Sequence, residues 1–190
     1  DSTAFLRRLD ETGAPPHAVH VNINAGDLRD RSMPDTILGA VHDAAIAPER
    51  IVLELTEREI LHVDHVERTA LARLDAAGIH LAVDDFGTGY SSLSHLLDFP
   101  ADHVKIDRRF VAGLPDDADA YALARGVISM AHGLGLTTVA EGVETEAAAL
   151  AVLALGCDRL QGYLMAPALP PDQAVAWWVQ RTATAPQPAA

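Results

Sequence analysis

Short β-branched runs alternate with longer helical stretches along the whole chain, and this alternation constrains the fold more than any other feature. Strands are expected at residues 18–23, 50–55, 80–83, 103–106, 137–140 and 159–161. Helices are expected at 3–11, 35–45, 63–77, 91–97, 118–134 and 146–155. Gly78, Pro100, Gly135 and Gly156 each stand where a helix should stop and a strand begin. A repeated β-α unit of this kind predicts a parallel sheet with its helices outside. With 190 residues and 49% apolar content the chain can bury one substantial core, which favours a single domain over residues 1–180. The Ala- and Pro-rich stretch 181–190 is low in complexity and expected to be disordered.

The polar residues then fall into register. Asn22 and Asn24 close the first strand, Glu54 and Glu57 the second, and Asp84 and Asp85 the third. Asp107 closes the fourth, Glu141 and Glu144 the fifth, and Gln161 the sixth. A closed β/α barrel gathers all such strand ends around one rim, where barrels of this type place their chemistry. An open doubly wound sheet would carry a phosphate-binding Gly motif after its first strand, and none is present there. The expected fold is therefore a TIM-like β/α barrel. It is an incomplete one, because a full barrel has eight strands in about 250 residues, and only about six of eight β/α units are found. The chain also opens within a helix, so the missing strand or strands are expected ahead of residue 1, leaving two exposed sheet edges.

The richest single stretch is residues 81–93, where an apolar strand delivers Asp84 and Asp85 into a loop rich in glycine and hydroxyls. Side chains alternate along a strand, so adjacent carboxylates can serve one site only where the strand ends and the backbone turns. Asn22, Glu54, Asp84, Asp85 and Glu141 supply hard oxygen donors, the type that Mg²⁺ or Mn²⁺ prefers. Converging without cations, such groups would repel and some would take up protons. The plainer alternative makes each of them a helix cap or a salt-bridge partner. Lys105 lies two residues before Asp107 and points to the same side of the sheet, where it can orient a water or steady a phosphoryl oxygen. A structural salt bridge is its simpler reading. Phosphodiester hydrolysis by a pair of ions about 3.5–4 Å apart uses this set best.

The loop Phe86-Gly87-Thr88-Gly89 could offer backbone N–H groups to phosphate, but it lacks the ending of a nucleotide P-loop. It is read instead as a mobile loop that closes or signals at the metal site. His62 and His65 are read as solvated surface, Trp177 and Trp178 as packing outside the barrel, and Cys157 as buried and inert. With 14 basic against 27 acidic residues, the net charge of −13 argues against a nucleic acid polymer or an anionic membrane as partner. One cysteine and no membrane-length apolar run make the cytoplasm the expected location.

Six blocks in order make the chain resemble the EAL family of bacterial cyclic-di-GMP phosphodiesterases. They are Val21-Asn22-Ile23-Asn24, Glu54-Leu55-Thr56-Glu57, the Asp84-Asp85-Phe86-Gly87-Thr88-Gly89 run, Val104-Lys105-Ile106-Asp107, Ala140-Glu141-Gly142-Val143-Glu144, and Gly156-Cys157-Asp158 to Gln161-Gly162-Tyr163. The resemblance implies hydrolysis of cyclic-di-GMP to linear pGpG with two Mg²⁺ or Mn²⁺ ions. It implies Asn22, Glu54, Asp84 and Glu141 as metal ligands, Asp85 at the second metal and Lys105 on the catalytic water. Glu57 would anchor the loop after Asp85, while Asp107, Glu144 and Gln161 would contact substrate or support the site. Homodimers through that loop, and a place in a larger multidomain signalling protein, are expected on the same ground.

The Glu-Ala-Leu that names the family, with a nearby substrate-contacting Arg, is expected ahead of residue 1. This agrees with the strand count. A catalytically inactive EAL domain that binds cyclic-di-GMP or a protein partner is the alternative. A different metal-dependent barrel enzyme, with Lys105 as base or Schiff-base amine, is the third reading.

Overall fold

The structure, a computed structural model, describes residues 2–13, 17–87, 96 and 98–184. Helix α1 (Ser2–Glu11) leads into β1 (Val19–Asn22), α2 (Met33–Asp43) and β2 (Ile51–Thr56). Next come a short α3 (Glu57–Ile60), α4 (His65–Ala76), β3 (His80–Phe86) and β4 (His103–Ile106). The chain continues through a short α5 (Arg108–Val111), α6 (Ala118–Gly133), β5 (Thr137–Ala140), α7 (Glu146–Ala154), β6 (Arg159–Leu160) and α8 (Pro171–Thr184).

The six strands pair in chain order, β1-β2-β3-β4-β5-β6, and every pairing is parallel. Sequential parallel order without a reversal is the topology of a barrel wall, not of a doubly wound sheet. Among the described residues six strands of an eight-stave wall are present, an incomplete TIM-like barrel. Among the described residues β1 and β6 are its edges.

Alternation along the strands sorts the two faces. Leu53, Leu55, Leu81, Val83 and Val104 join Leu6, Leu28, Val41, Leu71 and Leu74 in one buried core beneath the helices. Ile106, Ala140 and Val143 join Ala124, Ile128, Ala148 and Val152 in a second. The opposite face is left to His20, Asn22, Glu54, Asp84, His103 and Lys105. β2 is buried from Ile51 to Leu55, as a parallel strand covered on both faces should be.

Helix starts follow local chemistry. Asp64 and Glu67 form a capping box at α4, Thr56 and Glu59 another at α3, and Asp117 and Thr145 cap α6 and α7. The last helix departs from expectation. α8 runs through Thr184, into the stretch expected to be disordered, with Arg181 stacked 5.1 Å over Trp177 and Thr182 bonded to the Trp178 carbonyl. Trp178 also meets His17 edge to face at 4.0 Å, and Arg8 pairs with Asp172, so α8 is tied to α1. Residues 185–190 lie outside the described residues, as does nearly all of the helix expected at 91–97.

Candidate active site

The largest departure from the expected strand pattern occurs at Asp84 and Asp85. β3 does not end at residue 83 but continues to Phe86, and between Val83 and Phe86 its pairing with β4 takes in one extra residue. That is a β-bulge, which lets a strand re-aim a side chain. Asp85 absorbs it with φ +54, a left-handed conformation that Asp tolerates better than most residues. The bulge, not a turn, therefore brings two adjacent carboxylates to one face. Oxygens of Asp84, Asp85 and Glu141 lie within 4.8 Å of one another, close enough to share a hard divalent cation.

Lys105 sits at the centre of the rim and is 3% exposed. Its Nζ lies 2.8 Å from Glu54 Oε2, 3.1 Å from Asp84 Oδ1 and 2.6 Å from Glu141 Oε1. An ammonium has three protons, and three carboxylates take them. Burial alone would lower the Lys105 pKa, but Glu141 and Glu54 outweigh it and hold the group well above its ordinary range.

One cation cannot neutralise so many acids. Burial, only partly offset by Lys105, raises the Glu141 pKa. Burial, the Asp84 charge and a bond to Asp107 raise that of Asp85. Asp107 moves the other way: despite burial, the bonds from Arg109 backbone and side chain hold it down. These directions describe a site short of positive charge, which hard divalent cations would supply.

Glu54 differs from the other acids. Burial pushes its pKa up, yet bonds from His20 and Lys105 prevail and the carboxyl stays below its ordinary range. His20 Nδ1 lies 2.6 Å from Oε1 while Lys105 holds Oε2. Asn22 is exposed at the end of β1, opposite Glu54 in register. Glu57 is buried, and its Oε2 accepts the Gly87 N–H at 2.8 Å. That N–H is thereby committed and unavailable to a phosphate. Gly87 itself is required, since a Cβ there would lie 2.7 Å from the Phe110 ring at φ +92. Phe86 is buried, while Thr88 and Gly89 of the same loop lie outside the described residues.

Glu144 and Gln161 are exposed beyond the ends of β5 and β6. Glu144 lines a cavity of about 250 Å³ with Arg108, Arg109, Gly142 and Thr145. The Gln161 backbone ties β5 to β6 through bonds with Ala140 and Val143, and a Cβ on Gly162 would strike the Val143 backbone at 2.2 Å. His62 and His65 are both exposed and not in one helix; Cys157 is buried, with its thiol pKa raised by burial.

Two residues of the inner face went unremarked in the sequence. His20 and His103 stand two positions before Asn22 and Lys105, and the period of two was the available signal. His103 is 6% exposed, its Nδ1 has no hydrogen-bond partner, and its ring faces those of His20 and His80 at 6.1 and 5.6 Å. Burial, helped by Arg159 and His20, lowers its pKa to about 4. The folded protein thus resists a proton that the unfolded chain accepts below its ordinary pKa near 6.5. Stability should fall as pH drops through 6.5 toward 4, by about 2 kcal/mol at about pH 5. Urea unfolding at about pH 5 and 7.5 should show this loss, and His103→Phe should remove most of it.

The comparisons with known proteins fit this geometry. The model of the EAL domain matches residues 1–168. The chain belongs to the EAL-domain family. The EAL domain of Mycobacterium smegmatis DcpA superposes with a TM-score of 0.87 at 34% identity, over 94% of this chain and 81% of that one. Cyclic di-GMP phosphodiesterase RocR of Pseudomonas aeruginosa is 33% identical over 167 residues, 88% of this chain and 42% of its own length. Klebsiella pneumoniae BlrP1, solved as a manganese/cy-diGMP complex, superposes with a TM-score of 0.76 at 31% identity, over 85% of this EAL chain and 41% of that one. The chain spans about a quarter or less of the length of most curated relatives it matches. Among the described residues no helix is long and apolar enough to cross a membrane.

Proposed function

We propose that this EAL domain hydrolyses cyclic-di-GMP to linear pGpG with Mg²⁺ or Mn²⁺, as a two-ion site. The observation that carries the reading is the gathering of Glu54, Asp84, Asp85 and Glu141 around Lys105 at the ends of four neighbouring strands. Such a set suits a phosphodiester, whose charge it can meet only with cations. Asp84, Asp85, Glu141, Glu54 and Asn22 would hold the ions, which when bound neutralise phosphate charge and lower the pKa of a water. Lys105 Nζ donates only and holds Glu54, Asp84 and Glu141, so it would orient the attacking water or steady charge on a phosphoryl oxygen by giving up one of those three bonds. Asp107, held by Arg109 and facing Asp85, keeps that acid in place. Arg108 and Arg109, lining the cavity beside Glu144, offer guanidinium groups to the anionic substrate. Gln161 would contact substrate, and Glu57 fixes the start of the loop after Asp85 through Gly87.

The setting proposed is the cytoplasm, within a larger multidomain signalling protein. A homodimer through the loop after Asp85 is part of the proposal, and a monomeric mass by light scattering would count against it. The deciding experiment incubates this chain with cyclic-di-GMP and Mn²⁺ and resolves pGpG by chromatography. Appearance of pGpG, stopped by EDTA, is the expected result. A folded chain that binds cyclic-di-GMP without cleaving it would instead be a receptor, and the proposed activity would be wrong.

A further inference from the structure

His20 is an inner-face residue for which the proposed reaction has no use, and its contacts are specific. Its Nδ1 lies 2.6 Å from Glu54 Oε1, and Glu54 is only 3% exposed. A carboxylate oxygen accepts and a ring nitrogen can donate, so the 2.6 Å contact is described by an Nδ1–H tautomer of His20 donating to Oε1. Lys105 takes the other oxygen, Oε2, at 2.8 Å. The carboxylate is therefore gripped from both sides, by β1 and by β4, and its plane cannot rotate without breaking a bond. Each oxygen keeps a second lone pair, so the grip leaves Glu54 able to bind a cation. The His20 ring has the His103 ring as a neighbour, with centroids 6.1 Å apart.

We propose that His20 is a positioning residue that sets the orientation of the Glu54 carboxylate for metal binding, through a single Nδ1–H bond. The inference rests on the metal site proposed above. Partners of this kind, which orient a ligating carboxylate without touching the ion, typically change metal affinity by about 10- to 100-fold when removed.

The test is Mn²⁺ binding to this chain, followed by loss of the free-ion electron paramagnetic resonance signal, in three variants. His20→Leu removes the donor. His20→Asn places an amide nitrogen near the position of Nδ1, whereas His20→Gln carries it one methylene further, near that of Nε2. The expected pattern is an affinity weakened about 10- to 100-fold in His20→Leu and His20→Gln, and restored to within about 3-fold of the parent in His20→Asn. Equal affinity in all three, whether unchanged or weakened alike, would overturn the positioning role. If His20→Leu fails to fold, the comparison of Asn with Gln decides alone. A parent chain that binds no Mn²⁺ would overturn the metal site itself, and this inference with it.

Discussion

Asp84→Asn is expected to eliminate pGpG formation, by about 10³-fold or more, while leaving the metal-free fold as stable as before. A lost ligand for an ion that supplies several kcal/mol of transition-state stabilisation costs a factor of this order, at about 1.4 kcal/mol per tenfold. Stability should respond differently. Asp84 Oδ1 accepts from the Asp85 N–H at 2.9 Å and from Lys105 at 3.1 Å, and an Asn side chain keeps an Oδ1 acceptor for both. What disappears is one negative charge from a cluster in which Asp85 and Glu141 are already pushed toward their protonated forms. Removing it relieves repulsion. The measurement pairs chromatographic turnover in Mn²⁺ with urea unfolding in EDTA. Retained turnover would mean the metal site is misplaced.

Strand positions were legible in the sequence because β-branched runs and glycine stops mark them, and β4 and β5 lie where the pattern puts them. The inward direction of Lys105 followed from the period of two. The path of β3 did not, because a bulge adds one residue to the period and nothing in Val-Asp-Asp-Phe distinguishes a bulge from a strand end. Asp85 reaches the site by that bulge. Nor could spacing show that the Gly87 N–H is spent on Glu57, thirty residues earlier, since that bond depends on how α3 begins after β2. The pairing of His20 with Glu54 joins two strands 34 residues apart and required the β1–β2 register. The helical ending of α8 goes with contacts that local composition near residue 181 does not show: Arg181 over Trp177, the Thr182 hydroxyl on the Trp178 carbonyl, and Trp178 against His17.

Lys105→Met should damage the fold as well as the chemistry, and by an amount that depends on metal. In the metal-free protein the ammonium is the buried countercharge for Glu54, Asp84 and Glu141. Removing one partner of a buried ion cluster leaves charge without compensation, which typically costs about 3–5 kcal/mol. Glu54 bears most of the cost, being the most buried of the three, with His20 as its remaining partner. The penalty should shrink in Mn²⁺, where a cation replaces part of the missing charge, and also as pH falls. The sign of the second effect follows from proton counting. Burial already raises the Glu141 pKa with Lys105 beside it, and losing Lys105 removes the bond that opposes this, so at Glu141 the folded variant binds more protons than the unfolded chain in that window. Stability of the variant then rises as pH drops through it, opposite to the trend expected from His103. Urea unfolding in EDTA at about pH 7.5 should give the full loss, with partial recovery at about pH 5.5 and in Mn²⁺. A variant equally stable in all three conditions would mean that Lys105 contributes nothing as a countercharge, and the site would need another explanation for holding its acids together.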